Sequence, residues 1–301
     1  MPRKTFRAGF ITLIGRPSTG KSTFLNEVLD QKVSIVSPYP QSTRNLIRGI
    51  HNLENGQLVF VDTPGFHLSN KRFNKRLTSL LYHALDSVDL QLYFVDATRK
   101  LGTEDEQIQK LIEGNNTPSI VIINKCDIAP PEKIINLQKY FKEKDWVKEI
   151  FAISALTHGG IPNLLSHIEN ALPIHPPYYP DTVYTDQHPS LRITEIIRHT
   201  CWENFKQEIP YALYVEIEKS LVHKDDNNEI TSVDLDVIIY VDSKSHIPIV
   251  VGKKGSQIKK LRESSSKILK NVFPYPIELH LQCKQKPKWR TNSAVLNKTI
   301  Y

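Results

Sequence analysis

The sequence predicts an α/β protein in which a doubly wound, mostly parallel sheet is followed by a smaller α+β domain. Short apolar segments alternate with amphipathic segments as far as residue 172, which is the pattern of buried strands covered by helices. A chain of 301 residues is long for a single hydrophobic core, and residues 173–189 contain five prolines. We therefore expect one domain over residues 1–172, an extended proline-rich linker over 173–189, and a second domain over 190–301.

The composition excludes several classes of protein. With 40% hydrophobic and 24% charged residues it is typical of a globular protein, and it contains no apolar run near the roughly 18 residues of a membrane span. Cys126, Cys201 and Cys283 are widely scattered, which favours neither a disulfide framework nor a zinc site and fits a reducing cytoplasm.

The positive charge is concentrated towards the C-terminus. The chain carries a net charge of +7, yet residues 249–290 hold eleven lysines and arginines against two glutamates, a local excess of +9. Such a concentration predicts a polyanionic partner, such as a nucleic acid, for this part of the chain. A solvated lysine-rich surface is the alternative interpretation.

The first chemical motif lies between a predicted strand at residues 10–14 and a predicted helix at residues 23–29. Residues 15–22 match G-x-x-x-x-G-K-[ST], a loop whose backbone N–H groups cradle phosphates at the N-terminus of a helix. In such a loop Lys21 reaches the β- and γ-phosphates and the Ser22 hydroxyl binds Mg²⁺. A glycine-containing turn that matches by chance is the alternative. The predicted phosphate site comprises Gly15, Arg16, Pro17, Ser18, Thr19, Gly20, Lys21 and Ser22.

A second motif follows a predicted strand at residues 57–61, beyond a polar stretch at 31–48 that is predicted to be a loop. Asp62 stands at the carboxyl end of this strand, where a carboxylate can hold Mg²⁺ through a water molecule. Gly65 has no side chain, so its backbone N–H can come close to a γ-phosphate. The motif adds Asp62, Thr63, Pro64, Gly65 and Phe66 to the predicted nucleotide site.

The remaining segments of the first domain continue the alternation. Asn124-Lys125-Cys126-Asp127 follows one apolar segment, and Ser154-Ala155 follows the next. Ligands of such sheets bind at the carboxyl ends of the strands, and all of these motifs fall at such ends. Strands are predicted at 90–96, 119–123 and 150–153, and helices at 73–87, 104–113, 132–144 and 161–172.

Together with residues 41–45 of the predicted loop, these four motifs resemble the five guanine-nucleotide-binding motifs of translation-factor-type GTPases. The resemblance implies that Asn124, Lys125 and Asp127 form the site of the base. Asp127 accepts hydrogen bonds from guanine N1–H and the 2-amino group, a pair of donors that adenine does not offer. The backbone of Ser154 and Ala155 faces guanine O6.

The resemblance also implies the catalytic residues. Thr43, within Gln41-Ser42-Thr43-Arg44-Asn45, is the switch residue beside Mg²⁺ and the γ-phosphate, in preference to Ser42. Phe66 occupies the position at which many GTPases carry a glutamine that orients the attacking water. Because a phenyl ring cannot orient water, we expect slow intrinsic hydrolysis. The implied catalytic set is Lys21, Thr43, Asp62 and Gly65.

The second domain is predicted to contain a helix at 191–205, strands at 211–221 and 233–241, and a turn at 225–228. Residues 249–258 read Ile-Val-Val-Gly-Lys-Lys-Gly-Ser-Gln-Ile. Their G-x-x-G resembles the nucleic-acid-binding loop of a KH domain, in the helix–strand–strand–helix–strand order of type II. A tight turn is the alternative interpretation of a lone G-x-x-G.

The KH resemblance implies a surface for RNA. Two glycines let the backbone approach phosphates that Lys253 and Lys254 neutralise, and an adjacent apolar groove that includes Leu261 takes unstacked bases. The implied RNA-binding residues are Ile249, Val251, Gly252, Lys253, Lys254, Gly255, Gln257, Ile258 and Lys259.

The combination of both domains resembles the Era family of GTPases over essentially the whole chain. The stretches at 15–17, 62–66, 195–198 and 215–218 carry the resemblance, as do Trp289 and Arg290, which it adds to the RNA-binding residues. It implies Mg²⁺-dependent conversion of GTP to GDP and binding near the 3′ end of small-subunit ribosomal RNA. It also implies a GTP-gated role in maturation of the 30S subunit, peripheral contact with the inner membrane, and a monomeric state.

The chain departs from that family in two places. Ser18 replaces an asparagine that is linked to potassium-stimulated hydrolysis, which places potassium dependence in question. Residues 261–266 also differ, so helix packing or RNA preference can differ. The alternative functions are a binding switch in which hydrolysis is only a reset, an RNA-dependent helicase, and a basic scaffold without catalysis.

Overall fold

The computed structural model describes residues 5–36, 43–66, 72–85, 88–205 and 207–299, which form two compact units divided between residues 186 and 187. Gln41 and Ser42 of the predicted switch stretch and the last two residues of the helix predicted at 73–87 lie outside the described residues. No helix in the described ranges combines the length and the apolarity that crossing a membrane would require.

The first unit is a six-stranded sheet in the order β2-β3-β1-β4-β5-β6, with helices on both faces. All neighbouring strands are parallel except β2, which pairs antiparallel with β3. The predicted fold class is therefore confirmed. The strands are β1 (Arg7–Gly15), β2 (Ile47–Leu53), β3 (Gly56–Asp62), β4 (Leu90–Asp96), β5 (Ser119–Asn124) and β6 (Val147–Ala152), and the helices are α1 (Lys21–Leu29), α2 (Arg72–Leu85), α3 (Thr103–Glu113), α4 (Pro131–Lys142) and α5 (Ile161–Ala171).

Strand β2 is the element of this sheet that the sequence pattern did not predict. Its apolar residues, Ile47, Ile50 and Leu53, fall three residues apart, which is not the alternation of a half-buried strand. Pairing with β3 along its whole length makes it a strand. The loop predicted at 31–48 is thus corrected at its end, because β2 begins at Ile47.

Two hydrophobic cores cover the two faces of the sheet. Phe24 of α1 packs against Phe60 of β3 and Phe94 of β4 on one face, with ring centroids 5.6 and 5.3 Å apart. Tyr93 and Phe141 pack on the other face, with centroids 5.8 Å apart. Residues of both faces of β1, β3, β4 and β5 are buried, which is why these strands read as continuous apolar runs.

Most of the segment predicted to be a linker, residues 173–186, belongs to the first unit. Residues 173–186 lie along the sheet, where the buried Gln57 side chain holds them. Its amide oxygen accepts from the backbone N–H of Tyr178 (2.8 Å) and Tyr179 (3.0 Å), and its amide nitrogen donates to the Tyr179 carbonyl (2.8 Å). Three bonds from one buried side chain make this extended segment part of the first unit.

The second unit has a three-stranded sheet in the order β7-β8-β9, with β7 antiparallel and β9 parallel to β8. Helices α6 and α9 pack together over it, and the buried hydroxyls of Thr200 and Ser265 meet at 2.7 Å. The order is that of a type II KH domain. The elements are α6 (Pro189–Asn204), α7 (Ile209–Ala212), β7 (Leu213–Lys224), β8 (Ile230–Val241), α8 (Ile247–Val251), α9 (Ser256–Val272), β9 (Ile277–Gln285) and α10 (Ser293–Thr299).

Two residues predicted for RNA contact belong instead to the interior. Leu261 is fully buried in the core of the second unit, so it cannot line a groove for bases. Trp289 is also fully buried: its indole N–H donates to the Ala212 carbonyl at 3.0 Å, and its ring lies 5.0 Å from that of Tyr214. Direct stacking of a base on Trp289 is therefore excluded, because no face of the ring is accessible.

Arg290 is also held by the protein. Its guanidinium donates to the Tyr211 carbonyl and lies 3.8 Å from the Asp242 carboxylate. Burial lowers the pKa of Arg290 although Asp242 opposes this. Trp289 and Arg290 therefore hold the C-terminal residues against α7, which gives this sequence signal a structural explanation. A contact between Arg290 and RNA stays a prediction.

Replacing Trp289 with alanine should destabilise the second unit by about 3–5 kcal/mol, because a large cavity would result and the Ala212 carbonyl would lose one of its two hydrogen bonds. Trp289→Phe keeps most of the ring volume and should cost less. Hydrogen exchange of the β8 backbone amides measures both changes within this unit. Unchanged protection in Trp289→Ala would contradict the buried role.

Candidate nucleotide site and nucleic-acid loop

The loop between β1 and α1 has the backbone conformation that phosphate binding needs. Gly20 adopts φ = 100°, and a Cβ at this position would lie 2.1 Å from the Asn124 amide nitrogen. Ser18 is also left-handed, with φ = 63°. The loop ends at the N-terminus of α1, whose first N–H groups point towards the site without helical partners.

Lys21, the first residue of α1, is buried with its charge directed at the loop. Only 5% of the residue is exposed, and Nζ donates to the carbonyls of Gly15 (3.2 Å) and Arg16 (3.1 Å). Burial lowers the pKa of Lys21 to about 8, and the nearby Asp62 carboxylate partly offsets this. Below that pH an ammonium group held by two neutral carbonyls is poised to bind phosphate oxygens, which carry a full opposite charge.

Oxygen ligands suited to Mg²⁺ converge beside Lys21. The Ser22 Oγ lies 2.6 Å from Asp62 Oδ2 and 3.0 Å from Thr43 Oγ1, and the Ser34 hydroxyl donates to Asp62 Oδ2 at 2.7 Å. Asp62 is fully buried; burial raises its pKa, and the Lys21 charge opposes the rise. Within the described ranges its Oδ1 finds no hydrogen-bond donor. A buried acceptor of this kind, beside two hydroxyls, fits a hydrated Mg²⁺ ion.

Ser34 belongs to no recognised sequence motif, but its hydroxyl lies in the site beside Asp62. Asn26 of α1 accepts from the backbone N–H groups of Val33 and Ser34, both at 3.0 Å, and donates to the Ser34 carbonyl at 2.9 Å. The Asn26 side chain thus fixes the turn that brings the Ser34 hydroxyl to Asp62.

The segment after β3 lies directly against the phosphate loop. A Cβ on Gly65 would be 2.7 Å from both N and Cα of Pro17, so only glycine permits this approach. The Phe66 N–H donates to the Gly15 carbonyl at 3.1 Å, whereas the Phe66 ring is buried in the core formed with Tyr93. The ring therefore points away from the site. The two residues between Asp62 and Gly65 are buried, namely Thr63 and Pro64.

The Arg16 side chain does not face the phosphates. Its guanidinium pairs with Glu104 at 3.2 Å and Asp105 at 3.0 Å, both in the first turn of α3. Only the Arg16 backbone belongs to the site, through its carbonyl bond to Lys21. The Arg16 side chain thus anchors the loop to α3, and the binding of nucleotide by the Arg16 backbone stays a prediction.

Asn124 connects two loops through its side-chain amide. Its amide nitrogen donates to the Thr19 carbonyl at 2.8 Å, and its amide oxygen accepts from the Ala155 N–H at 2.9 Å. Both ends of the amide are thereby paired, and the residue is only 1% exposed. Its role is to fix the phosphate loop relative to the 154–155 loop, which the sequence motif alone did not show.

Lys125 is held in place by an acidic residue that carried no motif. Its Nζ lies 2.6 Å from Asp96, the last residue of β4. Burial opposes ionisation of Asp96, but hydrogen bonds from Lys125 and Thr98 outweigh it and lower the pKa of Asp96. The ion pair positions the long Lys125 side chain at the edge of the base site. The sequence did contain a signal for Asp96, because this residue ends a predicted strand at the same edge of the sheet as Asp62.

A cleft of about 160 Å³ opens beside these residues and has the character of a base site. Asp127 lines it with an exposed carboxylate that no described residue pairs with. Ile128 and Leu156, which are 69% and 70% exposed, supply apolar surface for a flat ring. Ala155 lines the same cleft, and the neighbouring Ser154 is fixed by its N–H bond to the Gly159 carbonyl at 2.9 Å.

In the second unit the G-x-x-G loop separates α8 from α9. Gly252 and Gly255 adopt φ = 75° and 77°, and nothing lies within 4 Å of a Cβ built on Gly255. Lys253 and Lys254 are exposed and have no partner among the described residues. The loop is therefore open to an anionic backbone.

The other predicted RNA-binding residues surround this loop to different extents. Ile249 is 48% exposed, and Val251 and Ile258 are half-buried. Gln257 and Lys259 are exposed, with Lys259 3.9 Å from Glu263. These side chains remain available for contact, unlike Leu261 and Trp289.

Two protein families match the chain: the 50S ribosome-binding GTPases over residues 10–125 and the KH domain over residues 208–290. The chain is 38% identical over 296 residues to GTPase Era of Caldanaerobacter subterraneus subsp. tengcongensis, covering 98% of both proteins. It is 38% identical over 295 residues to GTPase Era of Borreliella burgdorferi, covering 98% of this chain and 99% of that protein.

Two crystal structures are similar to this fold over nearly its whole length. Era in complex with MgGDPNP and nucleotides 1506–1542 of 16S ribosomal RNA gives a TM-score of 0.89 at 31% identity, covering 97% of this chain and 98% of that one. A variant of Aquifex aeolicus Era bound to GDP.AlF4⁻ gives 0.89 at 30% identity with the same coverage.

Asn124→Ala should weaken binding of every nucleoside diphosphate by about 5- to 150-fold, because the Thr19 carbonyl and the Ala155 N–H would lose their buried partner. Calorimetry with GDP and 7-deaza-GDP, which keeps the edge that Asp127 binds, measures the loss, and Asn115→Ala, a change outside this site, serves as the control. An effect on GDP alone would show instead that Asn124 reads the base.

Proposed function

The chain belongs to the Era family of GTPases, and from that premise we propose that bound GTP governs how its KH domain holds small-subunit ribosomal RNA. The observation that carries the proposal is the convergence of Lys21, Ser22, Thr43 and Asp62 at one edge of the sheet, in a chain that also presents an open G-x-x-G loop. The nucleotide site distinguishes GTP from GDP by the presence of the γ-phosphate, and the G-x-x-G loop contacts the RNA.

Hydrolysis of GTP to GDP and phosphate rests on positioning and charge. In this proposal Lys21 binds the β- and γ-phosphate oxygens, and the Gly65 N–H donates to the γ-phosphate. Ser22 and Thr43 would hold Mg²⁺ directly and Asp62 through a water molecule, and the ion when bound neutralises phosphate charge. No glutamine follows Gly65, and the Phe66 ring is buried, so intrinsic turnover is slow and a bound partner raises it.

The alternatives explain fewer observations. A helicase needs a second motor domain, whereas the second unit is a KH domain with a three-stranded sheet. A scaffold without catalysis has no need of a buried Lys21 charge beside a buried Asp62. A binding switch with hydrolysis as its reset agrees with the same site and is part of the proposal.

The RNA partner follows from the relatives. An Era protein similar to this chain over its whole length was crystallised with nucleotides 1506–1542 of 16S ribosomal RNA. We propose the corresponding 3′ region of small-subunit ribosomal RNA as the ligand here, with a role in maturation of the 30S subunit. The proposal includes a monomer in the cytoplasm that contacts the inner membrane peripherally.

Asp127→Asn should lower the preference for GTP over xanthosine triphosphate by at least about 100-fold. A carboxylate accepts from guanine N1–H and the 2-amino group, whereas an amide can donate to the 2-oxo group of xanthine. Competition binding with both nucleotides measures the change, and the wild-type chain provides the reference. An unaltered preference for GTP would remove Asp127 from the base site.

Replacing Lys253 and Lys254 with alanine should weaken RNA binding and flatten its salt dependence by about 0.7 per lost phosphate contact. Binding is measured across salt concentrations with a GTP analogue, with GDP and without nucleotide. Lys219→Ala, an exposed lysine on β7, is the matched control and should change nothing. If the double variant keeps the wild-type slope, the loop does not contact RNA.

A further inference from the structure

The exposed face of α9 is strongly basic. Leu261, Ser265 and Leu269 bury the opposite face against the sheet and α6. The solvent-facing side carries five cations and a single acid, and among the described residues only one of these cations, Lys259, has an ionic partner, at 3.9 Å. The five cations are Lys259, Lys260, Arg262, Lys267 and Lys270.

This basic face begins at the G-x-x-G loop and runs the length of the helix. Helix α9 has 17 residues, so it is about 25 Å long. Phosphates of a stacked strand are spaced about 3.4 Å along its axis, so the face can follow at most about seven nucleotides. A loop that clamps about four nucleotides uses only one end of it.

A cleft with a volume of about 550 Å³ lies at the other end of α9. Phe273 and Tyr275 line it, with ring centroids 5.8 Å apart at an angle of 38°, and both residues are half-buried. Lys270 and Ser266 stand at its edge, and within the described ranges their polar groups have no partner. The cleft thus combines two aromatic rings with an unpaired cation and an unpaired hydroxyl.

Phe273 and Tyr275 also pack against the core of the second unit, but this packing does not explain the open cleft beside them. Pro274 and Pro276 flank Tyr275 and restrict the backbone on both sides of it, so the cleft is preorganised. The last carbonyls of α9 disfavour an anion inside the cleft, whereas Lys270 favours one at its rim. A base inside with its phosphate outside satisfies both conditions.

We propose that this cleft is a second nucleobase subsite, in which one base of a single-stranded RNA stacks on Tyr275 and Phe273. The strand held by the G-x-x-G loop continues along the basic face of α9, and Lys270 neutralises the phosphate beside the stacked base. This inference rests on the proposed RNA-binding function. It extends the RNA contact from about four nucleotides to the full length of the helix.

The test compares unstructured RNA oligonucleotides of four and twelve residues on the full chain with a GTP analogue bound. Tyr275→Leu removes the aromatic face and should weaken the twelve-residue RNA by about 5- to 100-fold, since base stacking is lost. It should leave the four-residue RNA unchanged, which also shows that the KH domain remains folded. Tyr275→Phe retains the ring and should bind both as the wild type does.

A second measurement tests the path of the strand. 2-Aminopurine placed at successive positions of the longer RNA should be quenched at one position beyond the clamped segment in wild type and Tyr275→Phe, and not in Tyr275→Leu. Lys270→Ala should lower the salt slope for the longer RNA alone, by about 0.7.

The outcomes separate this inference from the proposed function. If the longer RNA binds no more tightly than the shorter one, or Tyr275→Leu binds it as the wild type does, the second subsite is overturned while the G-x-x-G contact stands. If neither RNA binds the wild-type chain, the proposed RNA-binding function fails, and the second subsite fails with it.

Discussion

The nucleotide site depends on one buried side chain, that of Asn124. Its amide joins the Thr19 carbonyl of the phosphate loop to the Ala155 N–H of a loop more than 130 residues later in the chain. An amide can make both bonds at once because it is donor and acceptor together. The phosphate loop and the base cleft consequently keep a fixed spacing, and a nucleotide that spans them meets two preformed parts of one site.

Charge in this site is arranged before any ligand binds. Lys21 and Asp62 are both buried, and burial alone disfavours both charges, lowering the pKa of one and raising that of the other. Their mutual attraction and the hydroxyls of Ser22 and Ser34 offset part of that cost. A bound phosphate would bring negative charge to Lys21, and bound Mg²⁺ would bring positive charge to Asp62. Ligand binding would therefore offset the remaining cost of burying these two charges.

In the second unit, the residues that stabilise the fold differ from those that are exposed for ligand contact. Trp289 and Arg290 hold the C-terminal residues to α7, and Leu261 fills the core beneath α9. The opposite side of α9 and the adjoining G-x-x-G loop are left to solvent with unpaired lysines. One helix can therefore serve as core on one side and as an anionic-ligand surface on the other, because its buried and charged residues are spaced by the helical period.

The sequence alone determined the alternation of the parallel strands with helices, the phosphate loop, the carboxyl-edge motifs and the KH order. Each of these is a local pattern: a buried parallel strand reads as an apolar run, and a phosphate loop needs glycine and lysine at fixed spacing. Tertiary structure alone decided which side chains of those motifs face the ligand. Arg16 turns to Asp105, Asn124 to Ala155 and Trp289 to Ala212, whereas Phe66 turns into the hydrophobic core that contains Tyr93. Strand β2 and the segment held by Gln57 were likewise set by distant partners. The physical reason is that a side chain's direction is decided by the hydrogen bond or the core it can complete, and those partners lie far away in the chain.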